Sequence, residues 1–124
     1  MIDLIEHIES HLTFLREVHR RAQHFILHIP LDLSVRNLLR AGALERGWDT
    51  WGHLHQFTAG LALKTMDEAA YEVMDKFYTS KRFDNPPAAP SVRLLQPWKK
   101  LLYRIAPDSA VQLMGGFSLM VLAK

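Results

Sequence analysis

Seven apolar residues, Ile5, Ile8, Leu12, Leu15, Ala22, Ile26 and Ile29, recur at steps of three, four or seven along the first quarter of the chain. Such spacing lines one stripe of a helix, so the N-terminal segment predicts one long helix. Asp3, Glu6 and Glu9 in its first turns suit the positive end of the helix dipole. Pro30, which lacks a backbone N–H and restricts the residue before it, is the expected stop.

The remaining periodicity extends the helical reading. Ser34 suits the N-cap of a short second helix running to about Gly42. Asp49 suits the cap of a third, with Trp51, Leu54, Phe57 or Thr58, and Leu61 on one side. Thr65 and Glu68 have the spacing of a capping box, which opens a fourth helix with Ala69, Ala70, Val73, Met74 and Phe77 inward. Residues 79–91 hold three prolines and read as a loop. Pro97 fits the first turn of a fifth helix, with Trp98, Leu101, Leu102 and Ile105 on its apolar side, and Pro107 ends it.

Asp108 then caps a last segment that is apolar nearly all round, as a buried helix is. Gly115 and Gly116 either pack closely against a neighbour or mark a break, and a terminal strand is the alternative. The expected fold is all-α: a single-domain helical bundle of five to six helices over residues 1–124. Helices one, three, four and the last would form its core.

Composition narrows the function classes. The apolar fraction of 48% and charged fraction of 23% are those of a globular protein. With no cysteine, disulfides, thiol nucleophiles and Cys-based zinc sites are excluded. The N-terminus lacks the basic start and unbroken apolar run of a secretory signal. The apolar C-terminal tail is shorter than the roughly 20 residues a bilayer crossing needs. A cytoplasmic protein without membrane contact is expected.

Seven histidines invite a metal reading. His7 and His11 are four apart, as are His24 and His28, but neither pair has a third ligand nearby in sequence, and HExxH is absent. On a helix His53 and His55 diverge by about 200° and do not share an ion. The stretch GWDTWGHLHQF, residues 47–57, therefore reads as a capped helix start, with Trp51 a core anchor and Trp48 exposed. His19, inside the apolar stripe, reads as a buried imidazole. The carboxylates Asp67, Glu68, Glu72 and Asp75 read as a solvated face. Neither a nucleophile elbow nor a glycine-rich phosphate loop occurs. Catalytic residues, metal ligands and cofactors are all expected to be absent, and a histidine-based metal enzyme ranks last.

Charge distribution carries the positive signal. Between Lys76 and Arg104 seven basic residues face one acid, Asp84, a surplus of six charges over 29 residues. Lys81, Arg82, Arg93, Lys99, Lys100 and Arg104 are interleaved with Phe77, Tyr78, Phe83, Trp98 and Tyr103. Such a surface can track phosphates and stack on bases, and Arg36 and Arg40 on the second helix would extend it. The expected function is a non-enzymatic subunit that contacts RNA or DNA backbone within a larger assembly of protein subunits. The alternative is a protein-binding adaptor or inhibitor presenting Trp48 and Trp51, with self-association a further expectation. No motif marks a family. In its small size, helices and basic flank the chain is similar in kind to the small helical subunits of CRISPR surveillance complexes, which implies backbone contact without chemistry.

Overall fold

The segment FILHIPL, residues 25–31, carries two periods at once. Ile26 and Ile29 continue the helical stripe, while Phe25, Leu27, Ile29 and Leu31 alternate with period two. In the computed structural model, which describes residues 1–80 and 96–124, the second period prevails. Phe25–Leu31 is strand β1, and its four alternating residues are the buried ones. The all-α helical bundle is therefore corrected to a mixed α/β fold.

The chain runs through a 3-10 turn (Ile5–His7), α1 (His11–His19), β1, α2 (Val35–Leu38), α3 (Ala43–Trp51) and α4 (Ala59–Glu68). It continues with β2 (Val73–Thr79), α5 (Gln96–Ile105), α6 (Pro107–Met114) and β3 (Phe117–Ala123). The strands form one sheet in the order β1-β3-β2, with β3 antiparallel to both neighbours. Hence β1 and β2 point the same way. Met1–Asp3 add a short parallel edge to β1: Met1 N and Asp3 N donate to the carbonyls of Ile26 and His28, and His28 N donates to Met1 O. Even-numbered N–H groups of β1 thus face away from β3. Pro30 occupies such a position, so its missing N–H costs the β1–β3 ladder nothing.

Three further corrections follow from the same competition between local pattern and tertiary pairing. The fourth predicted helix is instead the end of α4 followed by β2. Thr58, not Asp49 or Thr65, caps α4, its Oγ1 accepting from Leu61 N at 3.1 Å, and Asp49 lies within α3. The end of α4 is a left-handed turn at Ala70 (φ 68°), with Tyr71 N donating back to Met66 O. That geometry is a helix stop usually signalled by glycine, so alanine concealed it. The last segment breaks at Gly115 and Gly116, both at positive φ, and the terminal strand is realised as β3. As expected, Ser34 caps α2, its Oγ accepting from Asn37 N at 3.3 Å.

One face of the sheet holds the core. Leu27 and Ile29 of β1 meet Leu119 and Val121 of β3, covered by Leu15 of α1, Ala62 and Met66 of α4 and Val111 of α6. Tyr71 Oη donates to Leu15 O at 2.9 Å, and Arg16 reaches Glu68 O at 3.0 Å, tying α1 to the end of α4. On the other face Ile26, Phe77 and Leu122 are exposed. The expected apolar side of α5 is likewise exposed at Trp98, Leu101, Leu102 and Ile105. Tyr103 instead turns inward and stacks on Phe117. Among the described residues no helix is long and apolar enough to cross a membrane.

Candidate functional site

The sheet is antiparallel, with β3 between β1 and β2, so the ends of β1 and β2 and the start of β3 lie at one end of it. Here the chain places its polar chemistry at that end. Asp3 ends the Met1–Asp3 edge and Glu6 follows it, Asp32 follows β1, and Thr79 and Ser80 close β2. A cleft of about 570 Å³ lies there, bordered by Asp3, His28, Asp32, Trp51, His53 and Thr79 among others.

Two carboxylate–imidazole pairs border the cleft. His28 Nδ1 lies 2.6 Å from Asp3 Oδ1, and its Nε2 lies 3.1 Å from Thr79 Oγ1. An ionised carboxylate only accepts, so Nδ1–H is the donor toward Asp3, and in the uncharged tautomer Nε2 is the acceptor that faces the Thr79 hydroxyl. This is the arrangement that lets an imidazole take a proton from a hydroxyl while a carboxylate orients it. His53 Nδ1 lies 2.5 Å from Asp32 Oδ2 and donates by the same argument. Asp3 sits at φ 46°, a left-handed conformation aspartate tolerates better than most residues. It turns the chain from the edge strand into the 3-10 turn.

Glu6, on that turn, is 0% exposed, and neither carboxylate oxygen has a hydrogen-bond partner. Burial pushes its carboxyl above the usual carboxylate range; its own backbone N–H and the nearby His7 and His53 pull the other way. His7 Nε2 stands 3.7 Å from Glu6 Oε1, while His7 Nδ1 is 3.0 Å from Gly52 O and must donate to that carbonyl. Gly52 adopts φ 69° at the end of α3, a left-handed turn that reverses the chain beside His7.

The histidine pairs expected from spacing are rearranged. His7 and His11 part at the junction between the 3-10 turn and α1, and His7 meets His53, with ring centroids 5.0 Å apart. His11 meets His55 at 4.2 Å. His55 Nε2 is 3.0 Å from Ile8 O and 3.2 Å from Glu9 O, and burial, then His55, holds His11 below the ordinary imidazole range. His24 is exposed before β1, while His28 faces the cleft. His19 packs against Phe25 and Tyr71. Residues 52–58 are not helical, so the 200° divergence of His53 and His55 has no bearing.

Both tryptophans of the 47–57 stretch are exposed, Trp48 at 55% and Trp51 at 62%. Trp51 is thus a cleft wall and not the core anchor expected. Of the basic residues, Arg36, Arg40 and Lys99 share a groove of about 540 Å³ between α2, α5 and α6, together with Leu39, Leu113 and Met114. Lys100 and Arg104 are exposed on α5. Lys81, Arg82, Phe83 and Arg93, with most of the 79–91 loop, lie outside the described residues. Sequence reasoning missed Asp3, Glu6 and Asp32, because His28 and His53, which they meet, lie 21 to 47 residues away. No local spacing signals such pairs. No protein-family model matches the chain, and no curated protein matches it.

Proposed function

We propose that the cleft at the carboxyl ends of β1 and β2 is an acid–base site for a small polar molecule. The observation that carries this reading is the convergence of Asp3–His28–Thr79 and Asp32–His53 on one cleft walled by Trp51. Its chemistry suits a ligand with a planar part to lie against the indole and a polar group that reaches the Thr79 hydroxyl, whose proton His28 can take. Pockets with a few convergent polar groups beside an aromatic wall are the usual form of such sites.

Ligand-observed NMR with nucleosides, sugar phosphates, amino acids and hydroxylated aromatics tests this on chelator-treated protein. At least one class is expected to bind, and Trp51→Ala and His28→Ala each to weaken it by about 10-fold or more. Trp98→Ala, on α5 and outside the cleft lining, leaves it unchanged. Binding by no class at millimolar concentration, or binding indifferent to both cleft variants, would sink the reading.

A second reading, contact with nucleic-acid backbone, is favoured by the groove that gathers Arg36, Arg40 and Lys99. None of the three has an ion pair among the described residues, and no carboxylate lines the groove. The likeness to CRISPR small subunits rested on a helical architecture and loses that support. Counterion release predicts affinity for single-stranded RNA or DNA that falls steeply from 50 to 200 mM salt, roughly 10-fold or more for three phosphate contacts. The charge reversal Arg36→Glu/Lys99→Glu should flatten that slope. Absent or salt-independent binding removes this reading and leaves the cleft untouched.

A further inference from the structure

Glu6 has no part in the acid–base chemistry of the cleft, yet it is the most deeply buried charged side chain described. A carboxylate taken out of water without a hydrogen bond is among the costlier arrangements a small domain can carry. Its neighbours are two imidazoles. One ligand atom from each of Glu6, His7 and His53 lies within 4.8 Å of the others. Both rings are held from behind: His7 Nδ1–H donates to Gly52 O, and His53 Nδ1–H donates to Asp32. Each ring therefore keeps its Nε2 lone pair available on its other edge, and for His7 that edge is the one facing Glu6. Metal-binding histidines are oriented in this way, by a carboxylate or a backbone carbonyl on the second nitrogen.

We propose that Glu6, His7 and His53 form a site for a divalent transition-metal ion, with Asp32 and the Gly52 carbonyl fixing the two imidazoles. One carboxylate and two imidazoles suit zinc and its first-row neighbours. Calcium and magnesium call for oxygen-rich sets. A tetrahedral centre with bonds of about 2.0–2.1 Å separates its ligand atoms by about 3.3 Å. On binding, the three ligand atoms, now within 4.8 Å of one another, would draw in to that spacing. Three protein ligands leave a position open, as in catalytic rather than structural zinc sites. Because His53 also lines the cleft, a metal here borders the space assigned to the small molecule and would polarise an oxygen placed there.

The neighbouring histidine pair lacks these features. His11 and His55 have no carboxylate between them, and His55 Nε2 is spent on main-chain carbonyls. The metal assignment stands independently of the cleft reading, whose test uses metal-free protein.

Tag-free, chelator-treated protein is titrated with Zn²⁺ and Co²⁺ by calorimetry and visible spectroscopy, with Mg²⁺ in parallel. One Zn²⁺ per chain is expected, at a Kd of about 1 μM or tighter, with visible Co²⁺ bands of a four- or five-coordinate centre and far weaker Mg²⁺ binding. The double variant Glu6→Gln/His53→Gln should abolish both signals. Asp32→Asn should weaken Zn²⁺ about 10- to 100-fold as the imidazole loses its support. The exposed His24→Gln leaves binding unchanged. Circular dichroism checks each fold. Saturable binding that survives the double variant, or none in the wild type, overturns the proposal. Should the double variant fail to fold, X-ray absorption of the zinc-loaded wild type decides: two imidazoles in the first shell support the site, and fewer than two overturn it.

Discussion

Replacing Gly115 with alanine is expected to cost about 2–4 kcal/mol of stability, the sum of a backbone and a packing penalty. Gly115 lies at φ 62°, ψ 170°, a region essentially closed to residues with a side chain. A Cβ built there would overlap Ser34 Oγ and approach Asn37 Oδ1 at 3.6 Å. Ser34 is buried and its hydroxyl caps α2, so the cap cannot yield without losing its own bond. The thermal midpoint should fall by about 10 °C or more for a domain of this size. Gly60→Ala is the control. Gly60 is exposed on α4, where a Cβ meets nothing closer than Thr58 Oγ1 at 3.9 Å, and alanine is the better helix former. Equal midpoints for the two variants would refute the account of the α6–β3 turn.

Leu119→Ala should be as damaging or worse. Leu119 is 0% exposed on the central strand, between Ile29 of β1 and Tyr78 of β2 in register. Truncating a fully enclosed leucine removes its transfer free energy and leaves a cavity, together about 3–5 kcal/mol. Leu122, three residues on, points to the opposite face and is 36% exposed; its alanine variant should lose about 1 kcal/mol or less. Chemical denaturation of the pair reads out which face of the sheet is the core. A helical C-terminus, as the apolar run first suggests, places both residues on buried surface and predicts similar losses. Similar midpoints would therefore count against β3.

Much of the local structure was legible in the residues. Ser34 as a cap and the helix carrying Pro97 follow from a side-chain oxygen and a missing N–H, while Gly115 and Gly116 left a break open as one of two readings. The strands were obscured because β1 and β3 are rich in apolar residues that satisfy helical and extended periods together. In β2 the exposed Met74 and Phe77 imitated a helix face. The stop at Ala70 carried no signal, since its left-handed turn is held by Tyr71 N–H to Met66 O rather than by a glycine.

The site was less legible than the fold. Glu6 looked like a favourable acid in a helix's first turn, and His53 looked divorced from His55. Both statements concern nearest neighbours along the chain. What matters at the site is that residues 6 and 53 are brought face to face by the end of α3, and that 3 and 28 meet across a parallel edge.

By itself the sequence determined where backbone hydrogen bonding must stop and turn, because caps, prolines and glycines act within a few residues. It also determined that cysteine chemistry has no part in this protein, and that its histidines are too numerous to ignore. Tertiary structure alone decided between helix and strand for the ambiguous apolar runs, since the choice depends on a partner strand to receive the ladder. It alone decided that Glu6 is buried beside two imidazoles. Burial and pairing are properties of distance in space, and local spacing encodes them only within a single regular element.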